Sequence, residues 1–111
     1  MVFQVAGQCG LGALDAAKGQ GKQGIGVDAD QAYLGDYILT SALKKVDVAV
    51  FDTVKAVQDG SFQAGDTIFD LKVDGVGVGK TNAEGAKYSA EVDKAKQGIL
   101  DGSITVPDAV K

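Results

Sequence analysis

The chain has 111 residues, enough for one ordinary domain, and 45% hydrophobic with 23% charged residues is typical of a globular protein. A net charge of −4 and 6% aromatic residues offer neither the positive field nor the stacking surface that nucleic acid requires, so we expect no nucleic-acid partner. A single cysteine and no histidine exclude an internal disulfide, a Cys/His metal cluster and histidine-assisted nucleophilic catalysis.

Hydropathy predicts no membrane-spanning helix, because no run of about eighteen apolar residues occurs. The first residues lack the basic start and long apolar core of a secretory signal. Cys9 follows Ala-Gly-Gln, which has a superficial likeness to a lipoprotein cleavage site. The glutamine before the cysteine argues against cleavage, and Cys9 is interpreted as a lone thiol on a loop.

The first part of the chain predicts a strand, a glycine-rich turn, a helix and a second strand. The strand covers residues 2–6, the turn 7–12, the helix 13–18 and the second strand 25–27. A right-handed crossover would make the two strands parallel.

The remainder predicts a strand at 37–41, a helix at 46–57, a strand at 67–73, a helix at 83–100 and an extended tail at 103–111. The predicted inner faces are Val46, Val50, Val54 and Val57 for the first helix and Tyr88, Val92, Ala95 and Ile99 for the second. Such a small sheet with sixteen glycines suggests backbone that lies close to something else, so we infer a piece of a larger two-lobed protein.

Candidate site residues follow the two short apolar runs at 25–27 and 37–39. In open α/β sheets, ligands bind beyond the carboxyl ends of the strands, so Asp28 and Lys44 are the first candidates. Alternation along an extended chain points Asp28 and Asp30 in opposite directions, and one carboxylate suits the paired hydroxyls of a sugar. Lys44 and Lys45 are predicted at a helix start, with Lys45 a solvated surface lysine.

Two glycine-rich stretches keep a nucleotide-binding alternative open. The turn at 7–12 has the order G-x-x-G-x-G, which reverses the dinucleotide fingerprint. Residues 74–81 end in Gly-Lys-Thr like a phosphate-binding loop, but Asp74 stands where the first glycine belongs and would repel a phosphate. The preferred interpretation of the second stretch is a flexible crossing strand, with Thr81 or Asn82 capping the last helix.

Several motifs in order carry a family resemblance. The chain contains VAGQCGLG, IGVDADQ, LTSALKKVDVAVFD, DGVGV and a closing GSITVP. Together they resemble the basic membrane protein family of substrate-binding lipoproteins, the nucleoside receptors of ABC transporters. The resemblance implies an α/β fold with a parallel sheet flanked by helices, forming part of a two-lobed type I periplasmic binding protein and matching its C-terminal third.

The resemblance also implies a division of the chain between two lobes. Residues 1–40 would belong to the second lobe, 41–73 to a hinge crossing and a segment of the first lobe, and 74–111 to the return crossing and the closing helix of the second lobe. The apolar face of the helix at 46–57 would then be covered by the missing N-terminal part of the receptor or by a second copy.

The implied function is non-enzymatic. The protein would hold a nucleoside or related ribosyl compound between its lobes, without a cofactor, and deliver it to an ABC permease from the cell envelope as a lipoprotein. Carried over by motif, the ligand-binding residues are Gly7, Asp28 and Lys44, with Asp28 on the ribose hydroxyls. The alternative is a small nucleotide-binding α/β enzyme domain that uses a glycine-rich turn.

Overall fold

The computed structural model describes residues 1–107. Its centre is a four-stranded sheet built from β1 (Val2–Phe3), β2 (Gly24–Asp28), β3 (Ile38–Lys44) and β4 (Val76–Val78), paired in that order. The first three strands are parallel, and β4 runs antiparallel to β3 at the edge. The predicted α/β class with a parallel sheet is confirmed.

Three α-helices accompany the sheet within the described residues. They are α1 (Gly10–Gly19), α2 (Val46–Gln58) and α3 (Ser89–Asp101). Short 3₁₀ turns occur at Gly7–Cys9, Ala32–Leu34 and Gly85–Tyr88. Over residues 1–107, none of the helices has the length and apolar character needed to cross a bilayer.

The predicted strand at 67–73 is wrong. The chain turns there instead, because the side chain of Asp70 accepts the backbone N–H of Lys72 at 2.8 Å and its carbonyl accepts the backbone N–H of Gly75 at 2.8 Å. Asp74 then adopts a positive φ of 56°, and the strand begins only at Val76. Apolar content alone did not distinguish a turn stabilised by Asp70 from an extended segment.

The last helix also differs from its prediction. Neither Thr81 nor Asn82 caps it: α3 begins only at Ser89, after Tyr88, without a side-chain cap. The Oδ1 of Asn82 instead accepts the backbone N–H of Gly85 at 2.8 Å, at the start of the 3₁₀ turn that precedes α3. Of the predicted inner face, Tyr88, Val92 and Ala95 are exposed and Ile99 is half-buried, and the one buried residue of α3 is Gly98. Residues 103–107 have no regular secondary structure, and the rest of the predicted tail lies outside the described residues.

The core lies between α1 and one face of the sheet. Leu14 and Ala17 of α1 and Ile38 of β3 are buried there. A Cβ placed on Gly24 would lie 2.5 Å from Cδ2 of Leu14, so the leucine packs directly on the β2 backbone. Few large apolar side chains are fully buried, so this core contributes less apolar burial than a chain of this length usually supplies.

Helix α2 is amphipathic, yet its apolar face is uncovered. None of its residues is buried. The four valines predicted for one face are each exposed by 54 to 62%: Val46, Val50, Val54 and Val57. Their spacing follows the helical period as predicted, but the described residues supply no surface that covers them.

Candidate functional site

The predicted site residues Asp28 and Lys44 meet at the carboxyl ends of β2 and β3. Their Oδ1 and Nζ atoms lie 2.8 Å apart. The parallel register pairs Asp28 with Leu43, so the two strand ends lie side by side. Lys44 is the last residue of β3 rather than the start of a helix, which corrects the sequence prediction. Asp28 has a positive φ of 67°, which turns the chain out of the strand directly after the carboxylate.

This ion pair is open to solvent. The side chains of Asp28 and Lys44 are 49% and 64% exposed, so the pair adds little to stability. The contact uses one carboxylate oxygen, and an ammonium group has three donors. Both side chains therefore keep hydrogen-bonding capacity for a ligand with hydroxyl groups.

Gly7 lies at the same end of the sheet, beyond β1. It begins the 3₁₀ turn Gly7–Cys9 with a positive φ of 53°, which favours glycine. A Cβ at this position would meet nothing within 4 Å, so the backbone faces open space. The exposed thiol of Cys9 ends the same turn. Polar groups from β1, β2 and β3 thus follow the carboxyl ends of three parallel strands.

Behind this edge, Gln4, Gln31 and Ser41 form a chain of hydrogen bonds. The Nε2 of Gln4 donates to Oε1 of Gln31 at 3.4 Å, and that oxygen also accepts the backbone N–H of Val27 at 3.1 Å. The backbone N–H of Gln31 donates to Oγ of Ser41 at 2.9 Å. The Oε1 of Gln4 accepts the backbone N–H of Ala6 at 2.9 Å, just before the Gly7 turn. Because Gln4 and Ser41 are buried, their polar atoms need these partners.

Asp30 extends this chain of hydrogen bonds. Its Oδ1 accepts the backbone N–H of Ala32 at 3.1 Å and the hydroxyl of Ser41 at 3.3 Å. Its Oδ2 accepts the backbone N–H of Lys80 at 2.9 Å. The Lys80 N–H is the largest cause that holds the pKa of the Asp30 carboxyl below its ordinary value. Asp28 and Asp30 therefore have separate sets of partners.

Two glycines make room for these side chains. A Cβ on Gly10 would lie 1.6 Å from Oε1 of Gln4. A Cβ on Gly26 would lie 2.6 Å from Oγ of Ser41 and 2.8 Å from Oε1 of Gln31. The sequence alone predicts no ligand-binding role for Gln4, Gln31 and Ser41. A signal was present, because each polar residue follows or interrupts an apolar strand, and the glycines that make room lie in β2 and at the start of α1.

Residues 74–81 do not form a phosphate cradle. Nζ of Lys45 contacts the Asp74 carboxylate, and this hydrogen bond is the main cause of the lowered pKa of Asp74. Lys45 is only 28% exposed, so its interpretation as a solvated surface lysine is wrong. In the Gly-Lys-Thr stretch, the backbone N–H of Lys80 is directed at the carboxylate of Asp30 rather than at open space. An anion at the Lys80 N–H would meet the Asp30 carboxylate.

A separate cavity of about 790 Å³ lies on the sheet face opposite α1. It separates that face from the start of α3 and is lined by residues that include Ile25, Leu39, Thr40, Val78, Tyr88 and Val92. Gly7, Asp28 and Lys44 do not line it. This cavity and the polar strand ends are therefore different places, and the candidate site is at the strand ends. Among the described residues, no group of His, Cys, Asp or Glu side chains could hold a metal ion.

Comparison with known proteins assigns the family. A family model described as ABC transporter substrate-binding protein PnrA-like matches residues 1–109. The chain belongs to this family. The PnrA-like proteins are substrate-binding components of ABC transporters, which work with a permease and are not enzymes.

Individual relatives agree with this assignment. The ABC transporter nucleoside-binding protein BmpA of Lactococcus lactis is 38% identical over 96% of this chain and 36% of its own length. An uncharacterized lipoprotein of Pyrococcus abyssi is 36% identical over 99% of this chain and 28% of its own length. The chain thus spans about a third of the length of the curated relatives it matches.

The fold agrees as well. A crystal structure of an ABC transporter solute-binding protein from Aeropyrum pernix superposes with a TM-score of 0.75 and 25% identity, over 98% of this chain and 40% of that one. The PnrA-like family and the α/β sheet are therefore mutually consistent.

Proposed function

We propose that this chain contributes to the binding of a nucleoside or related ribosyl compound, with Asp28 accepting the ribose hydroxyls and Lys44 and the Gly7 backbone completing the contacts. The observation that carries the proposal is the Asp28–Lys44 pair, 2.8 Å apart and open to solvent at the carboxyl ends of two parallel strands. A carboxylate accepts two hydroxyl donors at once, which suits a vicinal diol. The Lactococcus lactis relative is named a nucleoside-binding protein, which supports the choice of ligand.

The binding cleft requires a second lobe in this proposal. Residues 1–40 belong to one lobe, 41–73 cross a hinge and contribute to the other, and 74–111 return to the first. Two observations support this division. The valine face of α2 is uncovered, and the cavity beside β2 leaves the second face of the sheet unfilled. Apolar surfaces of this kind usually mark an interface.

The proposal includes delivery of the bound ligand to an ABC permease, because the family consists of ABC transporter substrate-binding proteins. The ligand would determine which permease receives it. The location proposed is the cell envelope, with attachment as a lipoprotein, because the Pyrococcus relative is named a lipoprotein. The chain itself provides the part of the receptor that contains the ribose contacts.

A chimaeric receptor tests the ligand proposal. This chain would replace the matching segment of the Lactococcus lactis nucleoside-binding protein, and isothermal titration would measure binding of adenosine, guanosine, ATP and NAD. We expect a nucleoside to bind and the two nucleotides not to bind. Binding of ATP or NAD alone would favour the nucleotide-enzyme alternative and would contradict the proposal.

Substitution of Asp28 locates the contact within the chimaera. Asp28→Ala removes a charged acceptor shared by two hydroxyls, so we expect nucleoside binding to weaken by about 2 kcal/mol or more, roughly 30-fold. The matched control is Asp66→Ala, because Asp66 is an exposed aspartate on a loop. Equal affinities of the two variants would remove Asp28 from the site.

A further inference from the structure

We propose that Asp30 is a positioning residue that fixes the Gly79–Lys80 segment against the ends of β2 and β3, and thereby sets the geometry of the Asp28–Lys44 pair. Asp30 lies two residues beyond Asp28 in the same chain segment. Its carboxylate accepts hydrogen bonds from its own loop, from β3 and from the segment after β4.

The partners of the carboxylate come from three parts of the chain. The Oδ1 atom accepts the N–H of Ala32 and the hydroxyl of Ser41, and the Oδ2 atom accepts the N–H of Lys80. Ser41 is fully buried, so this partner is held rigidly inside β3. Asp30 is exposed, yet its carboxylate accepts three donors from three parts of the chain, which contact with solvent alone does not require.

The segment after β4 is already joined to β3 by its backbone. Gly79 donates its N–H to the carbonyl of Ser41 at 2.8 Å, and its own carbonyl accepts the hydroxyl of Thr40 at 3.1 Å. Asp30 adds a connection from the end of β2. Close packing accompanies it, because a Cβ on Gly79 would lie 3.0 Å from the Asp30 carboxyl carbon.

The same residue reaches the ligand contacts through the buried polar chain. Ser41 accepts the N–H of Gln31, and Gln31 contacts Gln4 and the backbone of Val27 next to Asp28. Displacement of Asp30 would therefore disturb both strand ends that carry the proposed ribose contacts. This consequence for ligand binding rests on the proposed function, whereas the connection to Lys80 does not.

Asparagine cannot replace Asp30 in this position. An amide has one acceptor oxygen and one donor nitrogen, whereas both carboxylate oxygens accept backbone N–H groups here. In either orientation of the amide, its NH₂ group would face the N–H of Ala32 or of Lys80. One backbone donor would lose its acceptor and meet another donor.

The first measurement is made on the 111-residue chain and needs no ligand. The amide proton resonance of Lys80 is followed by NMR as the pH falls, because an N–H bound to a carboxylate reports its protonation. We expect it to titrate with a midpoint below about 3.9, the usual value for aspartate. A Lys80 resonance that does not titrate in the unsubstituted chain overturns the proposal without any variant.

Variants then separate positioning from general stability. In Asp30→Asn we expect the Lys80 titration to disappear and the amide exchange of Lys80 or of Ala32, whichever N–H loses its acceptor, to accelerate by at least about tenfold. Asp66→Asn, the matched control, should change neither. Ser41→Ala should retain the Lys80 titration, because Oδ2 of Asp30 still accepts that N–H. Unchanged exchange at both Lys80 and Ala32 in Asp30→Asn contradicts the proposal.

The chimaeric receptor tests the effect on the ligand contacts. Asp30→Asn should weaken adenosine binding by about tenfold, less than Asp28→Ala, because it acts through position rather than by direct contact. Adenosine binding that is unaffected by Asp30→Asn refutes the positioning role while the proposed function stands. If the chimaera binds no nucleoside, the proposed function fails, and the Lys80 titration still decides whether Asp30 holds the segment.

Discussion

Gly26 gives the most direct test of the polar chain behind the strand ends. In Gly26→Ala the new Cβ would lie 2.6 Å from Oγ of Ser41 and 2.8 Å from both Cβ and Oε1 of Gln31. Ser41 is fully buried, and Gln31 is held by the N–H of Val27, so neither side chain can move away without breaking a hydrogen bond.

The expected loss of stability follows from these contacts. Forcing an extra methyl group into a packed site costs about 1–3 kcal/mol, and losing two modest hydrogen bonds adds about 1–3 kcal/mol. The lower chain entropy of alanine in the unfolded state offsets about 0.4–1 kcal/mol of this. We therefore expect Gly26→Ala to reduce the free energy of unfolding by about 3 kcal/mol.

The assay is urea unfolding at a fixed protein concentration, followed by circular dichroism. Gly12→Ala is the matched control, since Gly12 lies in α1 and a Cβ there would meet nothing within 4 Å. This control should gain about 0.5–1 kcal/mol, because alanine favours the helix more than glycine does. If Gly26→Ala were as stable as the unsubstituted chain, the close contacts around Ser41 and Gln31 would be wrong.

The exposed valine face of α2 predicts association, so the 111-residue chain should form dimers or larger species at micromolar concentration in sedimentation velocity. Val54→Lys should reduce this association more than the control Asp52→Lys, because Asp52 is exposed on the opposite side of α2. A stable monomer with protected amides in residues 46–57 would show that this face needs no cover. The Lys45–Asp74 contact predicts that stability depends on pH, because it lowers the pKa of Asp74 in the folded chain. The contact therefore stabilises the fold above the ordinary carboxyl pKa, and this stabilisation is lost as pH falls through the pKa of folded Asp74. In thermal unfolding, Asp74→Asn should therefore be less stable than the unsubstituted chain at about pH 6, and the difference should shrink as pH falls below the ordinary carboxyl pKa. A difference that does not shrink would contradict this assignment.

The regular elements near the start of the chain were predictable because periodicity and glycine placement agree there. The strand at 25–27, the helix at 46–57 and the parallel pairing of the first two strands all appear in the structure, with boundaries shifted by a few residues. The meeting of Asp28 and Lys44 was also predictable, because strand ends in a parallel sheet lie along one edge.

Other features depend on contacts between distant residues, which periodicity does not encode. The turn at Asp70 forms through a side chain that accepts a nearby backbone N–H, so its apolar neighbours misled the strand prediction. Strand alternation predicted that the side chains of Asp28 and Asp30 point in opposite directions. Alternation does not apply beyond Asp28, because its positive φ ends the extended backbone of β2. Its actual partners, Ser41 and Lys80, are set by β3 and by the return of the chain after β4.

The single cysteine offers a practical way to observe the proposed site. Cys9 is exposed and ends the 3₁₀ turn that begins at Gly7. A maleimide dye would react at one position only, because the chain has no other thiol. Its fluorescence would then report changes beside the first of the three strand ends. The same label on two differently coloured samples would also reveal exchange between copies by energy transfer.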